Sequence, residues 1–237
     1  MIDYSDYTVI IPTLNEVVTI QNMIKALFRF YPTIRIIVAD DESSDGTQEA
    51  VRQLAHNVGV PFEQLHLLER KAAAVRGITV SVLDAIKVCE TKYFCVLDGD
   101  MQHPPEALSL LIEESAAGAD LVIGTRMPYQ ENRSLHRTVV TKLATWAAKV
   151  RLHFRGLSII DPMSGFFVLR TELAKEVINS SPHRFELKGY KVLFDFLRIL
   201  DTTFALQQVY FEFMVRSGGE SKLNPAHALY FARSLFR

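Results

Sequence analysis

Tyr93-Phe94-Cys95-Val96-Leu97-Asp98-Gly99-Asp100-Met101-Gln102 runs from a short apolar segment directly into two carboxylates that flank a glycine. An apolar run of this length predicts a buried strand, and an acidic turn at its carboxyl end stands where open α/β sheets bind ligands. Asp98 and Asp100, two residues apart across a flexible Gly99, can share one hard cation that also takes phosphate oxygens. A solvated acidic turn is the competing reading of the motif taken alone.

The same grammar recurs upstream. Strands are expected at Thr8 to Ile11, Ile34 to Ala39 and Gln64 to Leu68, and downstream at Leu121 to Gly124. Between them Ile20, Met23, Ile24, Leu27 and Phe28 repeat at helical spacing, as do Ala50, Val51, Leu54, Ala55 and Val58. Leu108, Leu111 and Ile112 repeat likewise after Pro105, a residue suited to a first helical position. Alternating strands and helices predict a parallel sheet covered by helices, an α/β sandwich. After Gly124 the alternation weakens and the chain turns basic, with one acidic residue, Glu131, between Arg126 and Leu157. A strand at Phe166 to Leu169, helices near Glu172 to Ile178 and Lys191 to Leu200, and a strand at Leu206 to Val215 complete the reading.

Composition narrows the function classes. With 49% apolar residues over 237 positions the chain can bury one sizeable core. A formal net charge of -1 excludes nucleic-acid binding driven by overall charge, so anionic ligands must be held by local clusters. Two cysteines, Cys89 and Cys95, form neither a disulfide framework nor a zinc knuckle, which fits a reducing setting. The first eleven residues lack the basic-then-apolar order of a signal peptide. The most apolar long stretch, Leu193 to Val215, contains Asp195, Arg198, Asp201 and Glu212, so no span of the ~18–20 apolar residues that cross a bilayer is expected.

Three more clusters fall at strand ends. Ile11-Pro12-Thr13-Leu14-Asn15-Glu16 follows the first strand, and Ala39-Asp40-Asp41-Glu42-Ser43-Ser44-Asp45-Gly46-Thr47 follows the second. Their carboxylates and amides can hydrogen-bond a base and ribose; Asn15 and Asp45 are also ordinary helix caps. Arg216-Ser217-Gly218-Gly219-Glu220-Ser221-Lys222-Leu223 follows the last strand and can fold two cations over a diphosphate, or be a flexible exposed loop. Gly124-Thr125-Arg126 sets one more cation at a strand end, suited to a phosphate or to a surface salt bridge.

In this order the segments resemble family-2 glycosyltransferases of the GT-A fold, and within them the dolichol-phosphate or polyprenyl-phosphate mannose synthase group. The likeness runs from about Tyr7 to Leu223. It is carried by Ile10 to Glu16, by Asp40-Asp41 with Ser44-Asp45-Gly46-Thr47, and by Asp98 to Gln102 with the trailing His103-Pro104-Pro105. Asp161-Pro162-Met163-Ser164-Gly165-Phe166 and Gly219 to Leu223 point to the lipid-phosphate group. The resemblance implies a Rossmann-like sandwich with a mostly parallel sheet and C-terminal acceptor-side or interfacial helices: a catalytic domain over 1–223 and an amphipathic segment over 224–237. It implies that Pro12, Leu14, Glu16, Ala39 and Asp41 line the nucleoside pocket and that Asp98, Asp100 and Gln102 hold Mg²⁺ or Mn²⁺. Asp98, Gly99 and Asp100 would touch the nucleotide, while Arg126, Arg216 and Lys222 engage phosphates and, with the two aspartates, form the catalytic set. Donors would be GDP-mannose or, as a second option, UDP-glucose, and the acceptor a polyprenyl or dolichyl phosphate. The sequence departs from the group's pattern at four places. Leu14 replaces an aromatic, Arg76 is the candidate for a missing Lys within Ala72 to Thr79, Phe167 replaces an Arg, and Asp195 replaces a Glu.

A lipid acceptor requires an interfacial surface. Thr138 to Phe154, with Val139, Val140, Leu143, Trp146 and Val150 among Lys and Arg, reads as a basic apolar helix that can lie among headgroups, and Pro225 to Arg237 as a second. Both can equally be helices packed on their own domain. The setting expected is the cytoplasmic face of a membrane, held peripherally or through a membrane-anchoring partner, without nucleic acid. A family-2 transferase acting on a glycan or soluble acceptor, and a silent subunit that only binds nucleotide sugar, are the other readings.

Overall fold

The computed structural model describes residues 2–57, 63–70, 75–127, 135–214 and 226–237. Among these residues seven strands form one sheet: β1 (Tyr7–Thr13), β2 (Arg35–Asp40), β3 (Leu65–Glu69), β4 (Tyr93–Val96), β5 (Leu121–Arg126), β6 (Phe167–Arg170) and β7 (Leu206–Phe211). Their order is β3-β2-β1-β4-β6-β5-β7. Every neighbouring pair is parallel except those of β6, which runs antiparallel to both β4 and β5.

Helices cover both faces, so the strands are apolar on both sides rather than alternating with polar residues. Val9 and Ile11 of β1, Ile36 and Val38 of β2, Cys95 of β4 and Val122 of β5 turn to one face. There they meet Ile20, Met23, Ile24 and Leu27 of α1 (Val17–Phe30), Val51 and Leu54 of α2 (Thr47–Asn57), and Leu108, Leu111 and Ile112 of α4 (Leu108–Ala116). Ile10, Ile37, Phe94, Val96, Phe167 and Leu169 turn to the other face. They pack on α3 (Ile78–Val88), α5 (Leu135–His153), α6 (Thr171–Ser180), α7 (Val192–Ile199) and α8 (Ala226–Phe236). Each fully buried Phe or Ile on either face contributes roughly 1.5–3 kcal/mol.

The expected strands and helices are present with shifted ends. Pro105 opens a short 3-10 turn, Pro105–Ala107, and the α-helix begins only at Leu108. β7 ends at Phe211 rather than Val215, because β5, its one strand partner among the described residues, ends where Arg126 pairs Phe211. Val58 lies outside the described residues. The antiparallel insertion of β6 depends on Gly124: a Cβ there would stand 2.6 Å from the Phe166 ring and 3.1 Å from the Phe166 carbonyl oxygen. Instead the Gly124 N–H donates to that carbonyl at 2.9 Å, and Ser164 Oγ donates to Gly124 O at 2.7 Å.

The order of the strands fixes the site. From β1 the chain first builds outward through β2 and β3, then returns to set β4 on the opposite side of β1. The reversal leaves a crevice beyond the carboxyl ends of β1 and β4, the usual ligand position in such a sheet.

Candidate active site

Among the described residues three non-glycine residues have left-handed backbones, Asn15 (φ 53°), Glu42 (φ 66°) and Met101 (φ 65°), and each follows the carboxyl end of β1, β2 or β4. Such conformations are uncommon and cluster at ligand sites, where surrounding bonds hold them. Here those bonds run between loops. Asp45 accepts the Val17 N–H at 3.0 Å, capping α1 from the neighbouring loop, while Asn15 Oδ1 accepts the Ser44 N–H at 2.8 Å. Asp40, fully buried, accepts Thr13 Oγ1 at 2.9 Å, Ser43 Oγ at 2.5 Å, the Ser43 N–H at 2.9 Å and Gln48 Nε2 at 2.6 Å.

Asp41 takes a different set of partners. Its Oδ1 pairs with Arg70 and its Oδ2 accepts the Gly77 N–H at 2.8 Å, at the start of α3. Arg70 also donates to Asp84 at 3.0 Å, Ser81 Oγ at 3.2 Å and Val75 O at 2.9 Å. The network ties the end of β2 to α3, and Arg76 pairs with Glu42 beside it. Of the other residues expected to face a nucleoside, Pro12 and Glu16 are half-buried and Leu14 is exposed. Ala39, by contrast, is wholly buried in the core with Ile10, Ile37 and Val82, because the strand alternation turns it inward.

Beyond β4 the acidic loop opens. The Asp98 side chain is 42% exposed, whereas Asp100 is buried and accepts the Gln102 N–H on Oδ1 at 3.1 Å. The Gln102 carbonyl accepts the Met214 N–H at 3.0 Å, fastening the loop to the chain that leaves β7. His103 is buried beneath the loop and stacks on Phe166 with ring centroids 5.3 Å apart. Burial, opposed by Asp100 and reinforced by Arg126 and Lys191, pushes its pKa down to about 3. The ring is therefore neutral, and its Nδ1, which accepts the Asp98 N–H at 3.1 Å, makes no ion pair with the Asp98 carboxylate 3.7 Å away.

That depression has a pH signature. Between pH 6.5 and about 3 the unfolded chain binds the histidine proton and the folded chain does not, so the stability present above pH 6.5 drains away as pH falls. Urea unfolding at pH 7 and pH 4 is expected to show a His103-dependent loss of up to about 3 kcal/mol that His103→Phe removes. An identical pH dependence in that variant would refute the assignment.

Cations gather on the other side of the loop. Arg126, at the end of β5, grips Asp161 through Nε at 2.8 Å and Nη2 at 3.1 Å, and lies over the Phe213 ring. Burial works to raise the Asp161 pKa, but the Arg126 fork, with Lys191 and the Met163 N–H, holds it below the ordinary carboxylate value. Lys191, just before α7, donates to Met163 O at 2.6 Å and adds its charge to this corner. The sequence marks Lys191 only as a helix start; its approach to Asp161 comes from the return of the chain after α6. Phe167 lies in the core and Asp195 is buried against Arg198 and Ser234, so neither reaches this loop corner by its side chain. Arg216 and Lys222 lie outside the described residues, as do Ala72, Ala73 and Ala74.

Among the described residues no three His, Cys, Asp or Glu side chains form a metal cage. The donor set of Asp98, Asp100 and Gln102 is all oxygen on its acceptor side. It fits Mg²⁺ or Mn²⁺ in the mode where one or two carboxylates share the ion with substrate phosphates and water.

A sheet covered by helices on both faces, with an acidic loop beyond the carboxyl end of β4, is an α/β sandwich of the kind that takes ligands at its strand ends. The chain belongs to glycosyl transferase family 2, whose model matches residues 8–178. It is 31% identical over 235 residues to a dolichol-phosphate mannosyltransferase of Pyrococcus furiosus, covering 97% of this chain and 62% of that one. The chain thus spans about three fifths of that relative. A dolichol-phosphate mannosyltransferase of Saccharomyces cerevisiae is 30% identical, with 97% and 85% covered, and a polyprenol monophosphomannose synthase of Mycolicibacterium smegmatis is 30% identical, with 91% and 80% covered. The fold is the GT-A sandwich. Glucosyl-3-phosphoglycerate synthase of Mycobacterium tuberculosis, solved with Mn²⁺, uridine diphosphate and glucosyl-3-phosphoglycerate, superposes with a TM-score of 0.69 at 19% identity, covering 97% of this chain and 77% of that one. Mannosyl-3-phosphoglycerate synthase of Rubrobacter xylanophilus gives 0.64 at 16% identity, with 97% and 72% covered.

Proposed function

We propose that this family-2 glycosyltransferase moves one hexose, mannose in preference to glucose, from a nucleoside diphosphate sugar to a polyprenyl or dolichyl phosphate at a membrane surface. The observation that carries the reading is that His103, bonded to the Asp98 N–H, has Asp100 of the acidic loop and Arg126, Asp161 and Lys191 of the cationic corner as its charged neighbours, with Phe213 in contact with both His103 and Arg126. One side suits a cation-bound diphosphate and the other a second phosphate. The lipid phosphate comes from the names of the relatives, two of which are dolichol-phosphate mannosyltransferases and one a polyprenol monophosphomannose synthase.

In the proposed reaction an acceptor phosphate oxygen attacks the anomeric carbon in line, and the bond from that carbon to the donor diphosphate breaks with inversion. A phosphate monoester is largely dianionic at pH 7, so its oxygen needs no strong general base. Mg²⁺ or Mn²⁺ held by Asp98, Asp100 and Gln102 would supply neutralisation of the departing diphosphate. Arg126 and Lys191 bring positive charge to the acceptor side, and Asp161 fixes the direction of the Arg126 fork.

The apolar partner has a surface to meet. A groove of about 440 Å³ runs between α5 and the 157–160 segment, lined by Trp146, Lys149, Val150, Phe154, Leu157 and Ile160. Ile160 adjoins Asp161, so the groove ends beside the phosphate corner. Trp146 and Phe154 are 65% and 81% exposed, and Leu229 and Phe236 of α8 are also exposed. Apolar rings among Lys and Arg suit a headgroup layer. No helix among the described residues is long and apolar enough to cross a membrane.

The deciding experiment is transfer of radiolabelled sugar from GDP-mannose, and separately from UDP-glucose, into a polyprenyl-phosphate extract with Mn²⁺ or EDTA, using Asp100→Ala as control. Label in lipid from GDP-mannose that EDTA and the variant both abolish is expected. No lipid label from either donor, with metal-dependent nucleotide binding intact, would reject the lipid acceptor.

A further inference from the structure

Beyond Val96 the strand β4 loses its antiparallel partner, since β6 starts at Phe167, opposite Val96. The Leu97 N–H still finds Ile10 O at 3.3 Å, but the next main-chain donor, on Asp98, has no strand to bond. An unmet N–H at a half-buried position is costly and leaves the loop free to rotate. Its partner is His103 Nδ1 at 3.1 Å, which closes a six-residue loop over the two aspartates.

The acceptor nitrogen is held in place on every side. The imidazole is stacked on Phe166 at an interplanar angle of 17°, and meets Phe211 at 5.7 Å and Phe213 at 5.5 Å between centroids. Phe213 is also the ring under Arg126, at 5.6 Å. Gly165 closes the remaining side: a Cβ there would lie 3.3 Å from Asp98 Oδ2 and 3.4 Å from His103 Cε1. The same aromatic box therefore supports the acidic loop and the cation opposite it.

We propose that His103 is a positioning residue for the cation site, acting as a hydrogen-bond acceptor that fixes the Asp98 backbone, and hence the aim of the Asp98 and Asp100 carboxylates, from within a box of Phe166, Phe211 and Phe213. This rests on the reading of Asp98 and Asp100 as cation ligands. A pre-set loop binds its ion without reorganising, and removal of such outer-shell support typically costs about 10–100-fold in metal affinity.

The test is Mn²⁺ binding to the full chain, followed by electron paramagnetic resonance of the free ion, in wild type, His103→Phe and His103→Asn. His103→Phe keeps an aromatic ring in the box and lacks the acceptor; its Mn²⁺ dissociation constant is expected to rise about 10–100-fold. His103→Asn can set an amide oxygen where Nδ1 stood, and is expected to recover most of that loss although it fills the box less well. Wild-type affinity in folded His103→Phe overturns the proposal, as does equal weakening in both variants. In the wild type, nitrogen-15 spectra of the imidazole are expected to show the Nε2–H tautomer; an Nδ1–H tautomer overturns the proposal with no variant needed. If the wild type binds no Mn²⁺, the cation reading fails first, and the tautomer still decides whether the loop bond exists.

Discussion

Asp98→Asn is expected to lower the rate of sugar transfer by about 10²–10³-fold while the chain stays folded. The substitution keeps the shape of the side chain and removes its charge, and the side chain is 42% exposed, so little packing depends on it. What it removes is negative charge at the mouth of the crevice, where a cation and a departing diphosphate would meet. A contact that strengthens as charge develops is worth about 3–4 kcal/mol, at about 1.4 kcal/mol per tenfold in rate. The check is the initial rate at saturating donor over a Mn²⁺ titration, with circular dichroism to verify the fold. Wild-type turnover in the variant would take Asp98 out of the chemistry and leave the acidic loop a solvated turn.

Arg70→Leu addresses stability rather than turnover, and its expected cost is about 3–5 kcal/mol. The Arg70 side chain is only 4% exposed and bridges Asp41 and Asp84 while also donating to Ser81 and Val75. Deleting the cation strands a buried carboxylate at the end of β2, and that stranded charge, rather than the lost attraction, is the larger penalty. For a chain of this size the melting temperature should fall by roughly 6–20 °C, at about 2–4 °C per kcal/mol. Adding Asp41→Asn to Arg70→Leu removes the stranded charge and should restore part of the loss, a coupling that thermal unfolding of the single and double variants measures. A melting temperature unchanged in Arg70→Leu would show that the network contributes nothing net.

The two variants divide the crevice into parts that differ in how visible they are along the chain. Val9 to Ile11, Ile36 to Val38 and Tyr93 to Leu97 read as strands because residues covered by helices on both faces must be apolar without interruption, which is a local signal. Each acidic or amide cluster follows such a run immediately, so its place at a strand's carboxyl end is also local. The cap exchange in which Asp45 serves α1 and Asn15 serves the next loop was half visible: the residue types announce caps, while the helix each one serves depends on which strands lie side by side.

Local order thus dictates the α/β class, the strand ends and the acidic loop from Asp98 to Gln102, since hydrophobic period and turn chemistry act over a few residues. The antiparallel entry of β6, the inward turn of Ala39, the Arg126–Asp161 fork across 35 positions and the approach of Lys191 arise only when distant segments meet. Pairing between strands and between charges is settled by which neighbours the packed sheet leaves within reach, and no single stretch of chain carries that information.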